Sequence, residues 1–151
     1  MQSFIQLLAA GVGSFGYALF FNVRGRDILW ASLGGLISWG IYLSSRLIVS
    51  SDPLCYFISA FLLTVYAEIM ARLRKSPTTV FLVAGTIPLI PGAGLYRTMS
   101  AAIAGQFDTA IQDGKTTLLL AAAISSGILL CTVLWHIALR FLFYRRNKAR
   151  R

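Results

Sequence analysis

The chain has 151 residues, 57% of them hydrophobic and only 13% charged, with a mean hydropathy of +0.72. A soluble domain carries about 25% charged residues, so this composition excludes an ordinary soluble protein and indicates an integral membrane protein. The formal net charge of +9 does not imply nucleic-acid binding, because Lys and Arg cluster at the ends of apolar runs. That is how topology determinants and lipid-headgroup contacts are distributed.

The pattern predicts an all-α integral membrane fold, a single transmembrane helical domain over 1–151. Five transmembrane helices are expected, at about 3–21, 28–45, 53–71, 77–105 and 116–143, with the fourth broken near 88–94. The first is read as a retained helix rather than a signal peptide, since no basic residue precedes its apolar run. Ala10, Gly11, Gly13, Ser14 and Gly16 give it a small-residue face for close packing. Arg24, Gly25 and Arg26 follow it. The second span has Ala31, Gly35 and Ser38 as small positions, with Trp30 as an interfacial anchor and Trp39 deeper in the bundle.

The third span opens after Asp52 and Pro53, carries Glu68 and ends at Arg72, Arg74 and Lys75. Glu68 has two readings: a proton carrier in low dielectric, or one half of an i,i+4 ion pair with Arg72. A polar loop is expected from Gln106 to Lys115, holding Asp108, Asp113 and Gly114. His136, beside Trp135 in the last span, reads as an interfacial residue rather than a proton relay. A basic tail covers 145–151. Arg24 and Arg26, then Arg72, Arg74 and Lys75, and the basic tail all fall on one side of the membrane, which predicts the N-terminus outside and the C-terminus cytoplasmic. Cys55 and Cys131 lie in apolar runs and read as reduced packing residues.

The fourth span is the unusual one. No charge occurs from Ser76 to Tyr96, yet Pro88, Pro91, Gly92 and Gly94 crowd its centre. Proline removes a backbone donor and glycine weakens helices, so the span should break there. Irregular backbone at membrane depth is tolerated only beside protein or a watery cavity. Pro88 lies about eleven residues past Pro77, or roughly 16 Å, which predicts a break near the midplane. A second half-helix starting near Gly92 would aim free N–H groups at an anion. Arg97 would supply a fixed positive charge for a carboxylate, unless it snorkels to the headgroups. Tyr96 and Thr98 adjoin it and offer hydroxyls. The expected substrate site is therefore Pro88, Pro91, Gly92, Gly94, Tyr96, Arg97 and Thr98, with Glu68 as a proton-coupling candidate. The alternative is a proline kink that only shapes packing.

No HExxH, GxSxG or acidic metal cluster is present, so neither an enzyme nor a metal or other cofactor is expected. The motif Pro88-Leu-Ile-Pro-Gly92, followed by Tyr96 and Arg97, resembles the signature of the threonine/serine exporter family. The resemblance is to the short, YjjB-type subunit of its split, two-gene form. Gly16-Tyr-Ala-Leu-Phe-Phe-Asn22 with Arg24, and Glu68 ahead of Ser76-Pro-Thr-Thr-Val-Phe-Leu-Val83, extend it over nearly the whole chain. Relatives often carry a second glycine directly after Pro-Gly, whereas here Ala93 precedes Gly94. The resemblance implies a bacterial inner-membrane exporter of threonine and serine or of dicarboxylates such as succinate, driven by the proton motive force. It implies a larger, YjjP-type membrane subunit as partner, hence a hetero-oligomer, with homo-oligomers also compatible. Membrane lipids and a small carboxylate are the other expected partners. The reading kept beside it is a non-transporting membrane scaffold whose glycine-rich helices bind a partner.

Overall fold

In a computed structural model, the backbone is described for residues 2–148 and the side chains for residues 2–140. The described residues form helices α1 (Gln2–Phe20), α2 (Asp27–Ser45), α3 (Asp52–Arg74), α4 (Thr78–Thr86), α5 (Gly92–Ile103) and α6 (Phe107–Lys148). A single 3-10 turn, Ile87–Leu89, follows α4. Four helices, α1, α2, α3 and α6, are each long and apolar enough to cross a membrane. The fifth candidate span is the pair Thr78–Leu89 and Gly92–Ile103, bent by 54°. The all-helical membrane architecture and the broken fourth span thus follow the sequence.

Small residues let the backbones approach. α2 is central and packs on α1, α3 and α4. Ser14 of α1 fills the space over Gly35, and Leu36 lies where a side chain on Gly11 would be, with Cδ2 2.8 Å from an added Cβ. Gly13 and Gly16 face open space instead, so only Ala10, Gly11 and Ser14 of the expected α1 face are buried. The reason is angular: positions 10, 11 and 14 share one side of a helix, and 13 and 16 turn away from it. Ala31, Gly35 and Ser38 of α2 are all buried as expected. Hydroxyls then stitch the helices together. The Ser38 Oγ donates to the Gly85 carbonyl of α4 at 2.8 Å, and Ser59 of α3 donates to the Ser38 carbonyl. Tyr66 of α3 reaches the Trp30 carbonyl at 2.7 Å. Trp30 is partly exposed, while Trp39 packs against Tyr42 in the core.

Charged pairs close both ends of this body. Asp27 accepts from Arg74 Nε at 2.7 Å and from Ser76 Oγ at 2.5 Å, tying the start of α2 to the α3–α4 turn. At the opposite end Arg46 meets Asp52 at 3.4 Å.

The segment expected as a loop, Gln106 to Lys115, is helical from Phe107 and continuous with α6. Gly105, at φ +74°, ends α5 in a left-handed cap with Gln106 N–H bonded to the Ala101 carbonyl at 2.9 Å. The chain then turns straight into α6. Polar composition suggested a loop, but packing against α5 holds these residues in a helix, with Ala110 buried. α6 is attached to the body through α3, where Gly127 abuts the Phe57 carbonyl, Ala60 and the Phe61 amide. About ten residues back from Gly127 is Thr117, and the same step back from Phe61 is Ser51, just ahead of α3. The first ten or so residues of α6 therefore extend roughly 15 Å past the Asp52 end of the body. The side chains of the basic tail, 145–151, lie outside the described residues.

Candidate functional site at the broken span

The break is built by proline chemistry. Pro88 and Pro91 bring no N–H, so the α4 ladder cannot continue through them. After the 3-10 turn, Ile90 is extended and Pro91 sits at φ −77°, ψ 57°. The Gly92 N–H returns to the Ile90 carbonyl at 2.7 Å, closing an inverse γ-turn around Pro91. α5 then starts at Gly92 with no side chain capping it. Gly92 itself faces open space, so its role is at the turn rather than in packing.

From there α5 runs antiparallel along the start of α6, and that is its main packing partner. Gly94 is buried against the Thr117 side chain, which fills the space a Cβ would need. One turn on, the Thr98 methyl lies 3.3 Å from where a Cβ on Gly114 would stand. The Thr98 hydroxyl donates to the Gly94 carbonyl at 2.8 Å, within its own helix. Arg97 Nε lies 3.8 Å from Asp113 Oδ2, with side chains 65% and 30% exposed. At that distance and exposure the pair is loose, so the guanidinium stays available to another anion.

The expected site residues are thus divided. Gly94, Arg97 and Thr98 come together with Asp113, Gly114 and Thr117, which the sequence had assigned to a loop or left unremarked. Pro88, Pro91 and Gly92 shape the bend. Tyr96 is 74% exposed on another side of α5. Depth also differs from expectation. Because α5 lies along the α6 extension, the Arg97–Asp113 pair stands beyond the first residue of α3, further out than a break at the midplane would carry it.

Glu68 is elsewhere. Its carboxylate is buried and bonded to Arg72 Nη1 at 2.7 Å, and the Arg72 guanidinium lies 4.9 Å from the centre of the Trp135 ring. Asp113 and Trp135 are 22 residues apart on α6 (135 − 113), so the two charged sites are separated by about 33 Å. His136 is exposed and its Nδ1 meets the Thr132 carbonyl of its own helix at 2.8 Å. Glu68→Gln should lower the unfolding midpoint in detergent, by roughly 1–3 kcal/mol of stability, because Arg72 keeps its charge and loses its counter-charge. An unchanged midpoint would show that the pair contributes nothing.

A multi-pass helical membrane protein with a proline-broken span and a weakly engaged arginine behind it is the class these features define. The family model described as "Threonine/Serine exporter, ThrE" matches residues 6–134. The chain belongs to this exporter family, and the match includes the break, Arg97 and Asp113. No solved structure matches the chain.

Proposed function

We propose that this protein is the small subunit of a bacterial inner-membrane exporter for small carboxylate-bearing metabolites: threonine and serine, or dicarboxylates such as succinate. Export is driven by the proton motive force and needs a second, larger membrane subunit of the YjjP type. The observation that carries the reading is Arg97, loosely paired and exposed on a helix that begins uncapped after Pro91. A fixed guanidinium and a helix N-terminus both favour a carboxylate. Gly94 and Thr98 position that helix against α6, and Tyr96 offers a hydroxyl to a subunit or substrate outside the hairpin. The position of the pair, beyond the Asp52 end of α3, favours a mouth of the transport path over its midpoint.

Proteoliposomes holding the protein with and without the candidate partner, loaded with radiolabelled threonine, serine or succinate, test the reading. Export of at least one substrate with both subunits is expected; none in any combination would return the protein to a scaffold role. Asp113→Asn should lower the half-saturating succinate concentration by up to about fivefold, since it removes a competing carboxylate worth ~1 kcal/mol or less. A raised value would show that Asp113 assists substrate instead. In the same assay, a coupling role for Glu68 requires Glu68→Gln to lose its dependence on a pH gradient. Its tight pairing and its distance from Arg97 favour retention.

A further inference from the structure

A cleft of about 250 Å³ lies between the end of α1 and the first turns of α4. Ala18, Phe21, Val23, Val80 and Val83 make its wall apolar, and Thr79 adds a hydroxyl. The turn beside it is closed by backbone hydrogen bonds. Asn22, at φ 54°, caps α1 in a left-handed conformation, with Val23 N–H bonded to the Ala18 carbonyl at 3.0 Å and Asn22 N–H to Leu19 at 2.9 Å. That cap presses Val23 into the wall and carries the chain on to Arg24 and Arg26, both exposed.

The charges around this turn are unbalanced. Arg46, Arg72, Arg74 and Arg97 each have a carboxylate partner. Arg24 and Arg26 have none among the described residues, and the adjacent Asp27 is already engaged by Arg74 and Ser76. α4 also begins without a side-chain cap, Pro77 standing at its N-cap position two residues before Thr79. An apolar slot in a membrane protein, whose wall at Val23 leads along the chain into the exposed Arg24 and Arg26, has the polarity profile of one lipid molecule. We propose that this cleft binds an anionic phospholipid, its acyl chain against Phe21, Val80 and Val83 and its phosphate held by Arg24 and Arg26. A zwitterionic phospholipid fits less well, because its ammonium group would share the headgroup space with the two guanidinium groups. Basic pockets between spans hold anionic headgroups in this way. The site is independent of the exporter reading, since it uses neither Arg97 nor α5.

Native mass spectrometry of the detergent-solubilised protein, incubated with equal palmitoyl-oleoyl phosphatidylglycerol and phosphatidylcholine, tests the proposal. One retained phosphatidylglycerol is expected, preferred about tenfold or more over the zwitterionic lipid. The double variant Arg24→Gln, Arg26→Gln should bring that preference close to unity. Val83→Trp, which fills the cleft and leaves every charge in place, should abolish retention of either lipid. Equal retention of both lipids by the unaltered protein would overturn the proposal. So would an undiminished preference in the double variant, or full retention after Val83→Trp. Size-exclusion profiles matching the unaltered protein establish that each variant is folded.

Discussion

Arg97→Ala is expected to reduce export roughly ten- to a hundredfold, the effect of losing a hydrogen-bonded charge worth ~1.5–3 kcal/mol to a bound anion. The same variant should insert and accumulate normally. Its side chain is mostly exposed and its contact with Asp113 is 3.8 Å long, so the pair adds about 1 kcal/mol or less to folding. Those two expectations separate a substrate role from a structural one. Arg97→Lys keeps the charge but loses the planar fork, and should retain part of the activity. Transport rates normalised to inserted protein read the effect directly. Normal export by an abundant Arg97→Ala protein would remove Arg97 from the site. The alternative, that Arg97 only anchors α5 to α6, predicts instead that Asp113→Ala fails as badly as Arg97→Ala.

The break was legible because its cause is local. Pro88 and Pro91 cannot donate, whatever surrounds them, and the helix restarts at Gly92, directly after the second proline. Helix assignment elsewhere rested on long uncharged runs, which a bilayer requires and water does not. What could not be read was non-local. Counting residues from Pro77 placed Pro88 at the midplane by assuming that the whole run 77–105 crosses the membrane along one axis. The 54° bend, and the packing of α5 beyond the start of α3, break that assumption. Leu89 is buried in a cluster with Tyr42, Cys55, Ala60 and Leu63, which ties the turn to the Asp52 half of the body.

Asp113 and Thr117 were hidden for a related reason. A polar stretch between apolar runs reads as a loop, and only the antiparallel α5–α6 pairing makes 113, 114 and 117 one face opposite 94, 97 and 98. The glycine pattern failed in the same way. Gly13 and Gly16 look like packing residues in sequence and face nothing, whereas Gly34, Gly85 and Gly127 meet other backbones or buried side chains. Identity of the small residue was visible; which side of its helix was covered was not.

That distinction gives the second large prediction. Gly127→Ala should destabilise the protein by roughly 1–3 kcal/mol and depress export, although it lies far from Arg97. An alanine Cβ at this position would stand 2.7 Å from the Phe57 carbonyl oxygen and 3.2 Å from the Phe61 amide nitrogen. Both are backbone atoms of α3, so no rotamer change can relieve the clash and the two helices must move apart. α6 joins the body through this contact with α3, and α5 reaches it chiefly through α6. A wedge at Gly127 therefore displaces the hairpin that carries Arg97 and Asp113 relative to the break at Pro91. Gly13→Ala is the matched control, because a Cβ there meets nothing within 4 Å. It replaces glycine by a better helix former and should leave the unfolding midpoint unchanged or raised. If both variants unfold at the same temperature and export equally, the α3–α6 seam does not hold the hairpin in place. A lower midpoint and slower export for Gly127→Ala alone would show that the arginine site depends on a helix crossing far from it.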